Sequence, residues 1–318
     1  MPDTPAATAV AALVMDTPVT VATRLLTRHE NVVLYGPPGT GKSRAAKLVA
    51  DGWRIEYGDD SVINTTFHPS YSYEDFVEGF RPDPEDPSKF RLTDGVLFKA
   101  ADRAKAGPTL LVIDEINRAD VAKVFGELIT YIEADKRDTD FTTAQRPDEP
   151  RDIPSELYVI GTMNTADKSI SLLDVALRRR FKFVECPPDP TAFVTATEWK
   201  ASAFGIDLGD LLTAINDALL RADIGRDRLV GQALLSIDSA ADDSDLFDRL
   251  RYDVYPLVEE YLFGDAARMA DVLPGLVDQH GGLDPQGLTV EILRSWLPGR
   301  VESPGIEADS HDDVASDA

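Results

Sequence analysis

Five short segments with strand-like patterns recur through the first part of the chain, most of them apolar: Asn31–Tyr35, Val62–Phe67, Thr109–Ile113, Leu157–Gly161 and Phe181–Val184. Each is too short for a helix and ends at glycine, proline or a polar residue, which predicts buried strands. Helical spacing appears at Val19–Arg28, at Ser43–Asp51 and in one long stretch, Ala119–Ala134. Strands alternating with helices predict a parallel sheet covered on both faces. Pro187, Pro188 and Pro190 then mark a linker. Beyond it the pattern turns helical at Thr191–Ser202, Leu211–Arg221, Leu246–Phe263, Ala266–Leu273 and Val290–Leu297. The expected division is a flexible arm over 1–16, an α/β core over 17–186, a helical domain over 187–300 and an acidic disordered tail over 301–318. The polar segment Asp135–Pro154 reads as a long insertion in the core.

Charge narrows the partners. The 318 residues include 32 Lys and Arg against 56 Asp and Glu, a net charge of −24. Such a surface repels phosphate backbones, so any DNA contact needs a local basic strip or a partner. It also suits a salty cytoplasm. The basic residues nearest to a strip are Lys136, Arg137, Arg146 and Arg151, inside the insertion. Cys186 is the single cysteine, which excludes an intrachain disulfide and a multi-thiolate metal site. No apolar run reaches the ~18 residues of a membrane span. Asp3 and the lack of early Lys or Arg argue against a secretory signal, so a cytoplasmic location is expected.

The candidate chemistry sits at the strand ends. Gly36-Pro37-Pro38-Gly39-Thr40-Gly41-Lys42-Ser43 lies between a predicted strand and a predicted helix. In that context the glycines turn backbone N–H groups onto phosphate oxygens, and the helix N-terminus adds partial positive charge. Lys42 is expected to neutralise the β and γ phosphates and Ser43 to ligate Mg²⁺. Asp114 and Glu115 follow the third strand. Asp114 is expected to hold Mg²⁺ and Glu115 to act as general base on the attacking water. Asn164 follows the fourth strand and can orient that water, since an amide both donates and accepts. Arg178, Arg179 and Arg180 precede the fifth strand. In so acidic a chain they suggest an arginine finger reaching a neighbour's nucleotide. Pro188-Asp189 followed by Glu198-Trp199-Lys200 imitates a PD…ExK nuclease core, but the segment between reads as helix without a second strand.

Taken together, these residues resemble the AAA+ superfamily, and within it the McrB-like branch. The resemblance covers most of residues 30–273. It rests on GPPGTGKS (36–43), FHPSYSYEDFVEGFRP (67–82), LLVIDEINRAD (110–120), FGELITYIEADKR (125–137), IGTMNTADKSISLLDVALRRRF (160–181) and YPLVEEYLFGD (255–265). The pairing of SYEDFVEG with MNTADKS and ALRRRF is its most specific part.

The resemblance implies an α/β AAA+ P-loop core, a five-stranded parallel sheet between helices, with a C-terminal helical lid. It implies a homo-oligomeric ring, commonly a hexamer, that hydrolyses ATP or GTP with Mg²⁺ and works beside a McrC-like nuclease subunit. Lys42, Ser43, Asp114, Glu115 and Asn164 would act in cis. Arg179 and Arg180 would act in trans, with Arg180 the favoured finger. A MoxR-like chaperone that remodels a protein client is the alternative. Three departures from the family pattern stand out. Only about thirty residues precede the first strand, so the DNA-reading domain of McrB itself is expected to be missing. Lys168 stands where an Arg usually follows NTAD, and Gly231-Gln232-Ala233 replaces an aromatic-rich lid segment.

Overall fold

A computed structural model describes residues 17–29, 31–86, 88–166, 175–284 and 286–297. The arm over 1–16, the tail over 301–318 and Lys168 lie outside them. The strands of the core in chain order are β1 (Asn31–Gly36), β2 (Val62–Thr66), β3 (Glu78–Pro82), β4 (Phe90–Asp94), β5 (Thr109–Asp114), β6 (Phe141–Thr143), β7 (Arg146–Arg151), β8 (Leu157–Asn164) and β9 (Phe181–Glu185). Five of them form the expected parallel sheet, in the order β2-β5-β8-β1-β9.

Period-2 alternation splits the sheet's apolar residues between two cores. Val32, Leu34, Leu110, Val112 and Ile160 pack against Ala46, Val49 and Trp53 of the helix Lys42–Tyr57. Val33, Leu111, Ile113 and Val159 face the other way, onto Phe98, Val124 and Phe125. Covering both faces is what makes the inner strands β1, β5 and β8 read as nearly unbroken apolar runs. A third core belongs to the lid, where the helix Leu208–Arg221 buries Leu211, Leu212, Ile215 and Leu219 against Leu250, Val254 and Val258.

Three expectations about elements change. The long helix over 119–134 is broken into Val121–Phe125 and Leu128–Tyr131. Gly126 between them has φ 53° and ψ −134°. A Cβ there would come within 2.9 Å of the Tyr73 ring, whose hydroxyl donates to Glu127. The helix expected over 191–202 covers only Ala192–Thr195. Downstream of it, Lys200 pairs with Asp243 and Glu198 with Arg44, so the acids of the PD…ExK imitation do not converge.

The third change is the insertion, which forms the β6–β7 hairpin and docks on the β3–β4 hairpin. Glu78 is fully buried; it accepts from the Thr143 hydroxyl and pairs with Arg146 Nε at 2.7 Å. Asp94 takes Arg146 at 2.6 Å and Arg151 at 3.4 Å. The basic residues considered for DNA contact are therefore engaged within the chain. Arg137 is the deepest. It donates to the carbonyls of Ile132, Pro154 and Leu157 and, at 2.9 Å, to Asn31 Oδ1. Burial pulls its pKa down to about 10, so it stays charged at neutral pH.

Gly126→Ala should destabilise the core by about 1–3 kcal/mol, because alanine meets both a glycine-only backbone conformation and the Tyr73 ring. Urea unfolding measures this, and an unchanged midpoint would mean that the turn relaxes without cost.

Candidate nucleotide site

The C-terminal tips of β1, β5 and β8 meet at one edge of the sheet. The register sets Gly36 beside Asn164, and Ile113, one residue before Asp114, beside Gly161. The chain leaves β1 through the phosphate loop and enters the helix Lys42–Tyr57, with Gly41 in the left-handed region (φ 85°) as its N-cap. Gly36 has no room for a side chain, since a Cβ would sit 2.3 Å from the Cys186 carbonyl oxygen. Thr40 Oγ1 and Lys42 Nζ both donate to the Pro37 carbonyl, at 2.9 and 2.6 Å. The loop is thus braced from within, and Lys42 is held across it. Nearby, burial pushes the Cys186 thiol up to about 11, so it is a packed thiol without nucleophilic character at neutral pH.

The acidic residues form one hydrogen-bonded set. Ser43 Oγ donates to Asp114 Oδ1 at 3.1 Å. Thr162, buried on β8, donates its hydroxyl to the same carboxylate oxygen and accepts the Glu115 N–H at 3.1 Å. Glu115 has φ 55° and ψ 45°, a strained conformation for a non-glycine residue and one that recurs at functional sites. Its carboxylate accepts from Asn164 Nδ2 at 2.8 Å and pairs with Arg118 Nε at 3.2 Å. Asn117 Nδ2 ties the Asn164 carbonyl at 3.0 Å. A hydroxyl and a carboxylate side by side form an all-oxygen donor pair, the chemistry that Mg²⁺ selects.

A cavity of about 450 Å³ adjoins the loop at Thr40 and Gly41. Its walls include Val19, Pro188, Asp189 and Trp199. Arg44 crosses its rim, paired with Glu198 and 5.9 Å from the Trp199 ring centroid. A volume of this size beside a phosphate loop suits a base and ribose.

The arginine cluster lies at the opposite, N-terminal edge of the sheet, away from the chain's own phosphate loop. Arg180 is held there, with Nε 2.7 Å from Glu133 and its carbonyl accepting from Asn31 Nδ2 at 3.0 Å. Arg178 lies over the Phe183 ring. Arg179 is exposed and has no ion-pair partner among the described residues.

The structure therefore gathers Lys42, Ser43, Asp114, Glu115 and Asn164 at one edge and sets Arg179 and Arg180 at the other. Sequence reasoning missed Thr162, Asn117 and Arg118. Thr162 was accessible in principle, because it lies two residues before Asn164 and so shares its face of β8.

Thr162→Val should lower turnover by about 10- to 100-fold and raise the Mg²⁺ concentration needed for half-maximal rate. The isosteric methyl can neither donate to Asp114 nor accept from Glu115. Turnover against Mg²⁺ concentration tests this, and wild-type kinetics would remove Thr162 from the site.

Comparison with known proteins agrees with this geometry. Residues 31–181 match the AAA domain (dynein-related subfamily), and residues 207–270 match the alpha-helical lid domain of McrB. The chain is 34% identical over 267 residues to the type IV methyl-directed restriction enzyme EcoKMcrB subunit of Escherichia coli K12, covering 79% of this chain and 58% of that protein. It is 29% identical over 195 residues to the type II restriction enzyme BsuMI component YdiS of Bacillus subtilis, covering 48% of this chain and 56% of that one. The chain thus spans less than two thirds of the length of either relative. The first match covers the sheet and its phosphate loop and the second the helical domain that closes on them, so the chain belongs to the McrB-like branch of the AAA+ nucleoside triphosphatases.

Proposed function

We propose that this chain hydrolyses ATP or GTP in an Mg²⁺-dependent, ring-forming motor, commonly a hexamer, that drives a McrBC-like restriction complex with a separate McrC-like nuclease chain. The observation that carries the reading is the continuous set Ser43–Asp114–Thr162–Glu115–Asn164 at the mouth of a phosphate loop. Contact with DNA is assigned to the partner or the ring pore. That fits a net charge of −24 and a basic set already paired within the chain.

Loop N–H groups and Lys42 bind the phosphates. Ser43 and Asp114 would hold Mg²⁺, which would supply charge neutralisation for the phosphates. Asn164 donates to one Glu115 oxygen and so fixes the carboxylate that removes the proton from the attacking water. Water oxygen bonds to the γ phosphorus as the bond to the bridging oxygen breaks. The leaving diphosphate keeps that electron pair.

The trans arginine role is assigned to Arg179 rather than to Arg180, the residue favoured from sequence. Arg180 is anchored to Glu133 and Asn31, whereas Arg179 is exposed. Arg180 then acts as a positioning residue for its neighbour.

Lys42→Ala should lose nucleotide binding while keeping its fold, as followed by calorimetry and circular dichroism. Glu115→Gln should bind nucleotide yet turn over at least ~100-fold more slowly. Unchanged affinity in the first variant, or near-native turnover in the second, would overturn the assignment.

A mixing experiment tests the division between subunits. Arg179→Ala and Lys42→Ala should each be inactive alone, and together should regain part of the activity, because mixed rings contain interfaces with an intact loop and an intact finger. Assay with ATP and GTP, with and without the nuclease chain, reads the result. No recovery from demonstrably mixed rings would move the arginine out of its trans role.

A further inference from the structure

We infer that Gln232 of the lid is a positioning residue that presets the phosphate loop for anion binding. The inference rests on the nucleotide reading above and extends it to a residue outside the loop, the acidic edge and the arginine cluster.

The lid segment 230–233 is fixed on both sides. On the lid side, buried Asn216 donates to the Val230 carbonyl at 2.9 Å and accepts the Val230 N–H at 2.7 Å, tying the segment to the helix Leu208–Arg221. On the core side the Ala233 N–H donates to the Gly39 carbonyl at 2.9 Å. Gln232 Nε2 donates to the Thr40 carbonyl at 3.0 Å, while its Oε1 accepts the Asp189 N–H at 3.1 Å. The two neighbours dictate how the amide is turned, because a carbonyl only accepts and an N–H only donates. Gly231 makes the approach possible, since a Cβ there would lie 2.2 Å from the Gly39 carbonyl carbon. Gln232 itself is 7% exposed, so these bonds are sheltered from competing water.

Peptide geometry turns this latch into an effect on the loop. In a trans peptide the carbonyl of one residue and the N–H of the next point in opposite directions, and the described chain has no cis bond. Holding the Gly39 and Thr40 carbonyls toward the lid turns the Thr40 and Gly41 N–H groups away from it. Two successive amides of the phosphate loop are then oriented before any anion arrives. Reorienting them no longer has to accompany binding, which raises affinity for the phosphates. No charge is supplied by the lid here; its contribution is backbone orientation.

Two variants separate this role from a purely structural one. Gln232→Leu removes both bonds. Gln232→Glu keeps the size and the acceptor for Asp189 but sets a carboxylate against the Thr40 carbonyl. Binding of Mg·ATP, Mg·GTP and inorganic tripolyphosphate is measured by calorimetry, beside the melting temperature of the nucleotide-free protein. Gln232→Leu should weaken each probe that binds wild type by a similar factor, roughly 5- to 30-fold, with the melting temperature lowered by only a few degrees. Gln232→Glu should be weaker still, and it carries the test if the leucine variant does not fold. Wild-type affinity in both variants overturns the inference alone. So does a loss confined to the nucleotides and absent for tripolyphosphate, which would move the effect to the base cavity through Asp189. Wild-type protein that binds none of the three overturns the nucleotide reading, and this inference with it.

Discussion

The site depends on the register of β8 between β1 and β5. A one-residue slip would move Asn164 away from Gly36 and take Thr162 off Asp114. It would also turn every β8 side chain to the other face of the sheet. The register is secured by burial, because Val159 and Ile160 serve opposite cores and cannot exchange places without exposing both. Core packing fixes the acidic edge to within a hydrogen bond's tolerance, and the strained backbone at Glu115 is held by a surround this rigid.

Much of this was legible in the sequence because the relevant signals are local. All five sheet strands were found, the inner ones because burial on both faces writes a nearly unbroken apolar run, the edge strand Val62–Thr66 in spite of Asn64, Thr65 and Thr66. The phosphate loop, Asp114, Glu115 and Asn164 were expected at the strand ends, and they come together there, since each lies within three residues of such a run. What was not legible depends on contacts between distant segments. Gly126 breaks a well-patterned helix because Tyr73, more than fifty residues earlier, packs where a side chain would go. The β6–β7 hairpin looked like a loose polar loop because its stabilising partners, Glu78 and Asp94, lie on another hairpin. The proposed preference for Arg179 over Arg180 turns on Glu133, which no spacing rule connects to them.

The acidic composition takes on a different meaning once the pairs are known. Arg146 and Arg151 cross-link two hairpins by ion pairs in which Glu78 is wholly buried. Removing one member would leave an uncompensated buried charge, which is strongly destabilising. These arginines therefore join elements of the core, and the remaining surface carries the excess negative charge unrelieved.

Asn31 begins the strand that Gly36 ends. Its side chain grips the Arg180 carbonyl and the Arg137 guanidinium at the sheet floor, while the other end of the strand continues into the phosphate loop. Six strand residues span about 20 Å. In the proposed ring, that one strand would carry the subunit's own nucleotide site at one end and the support of the arginine offered to its neighbour at the other.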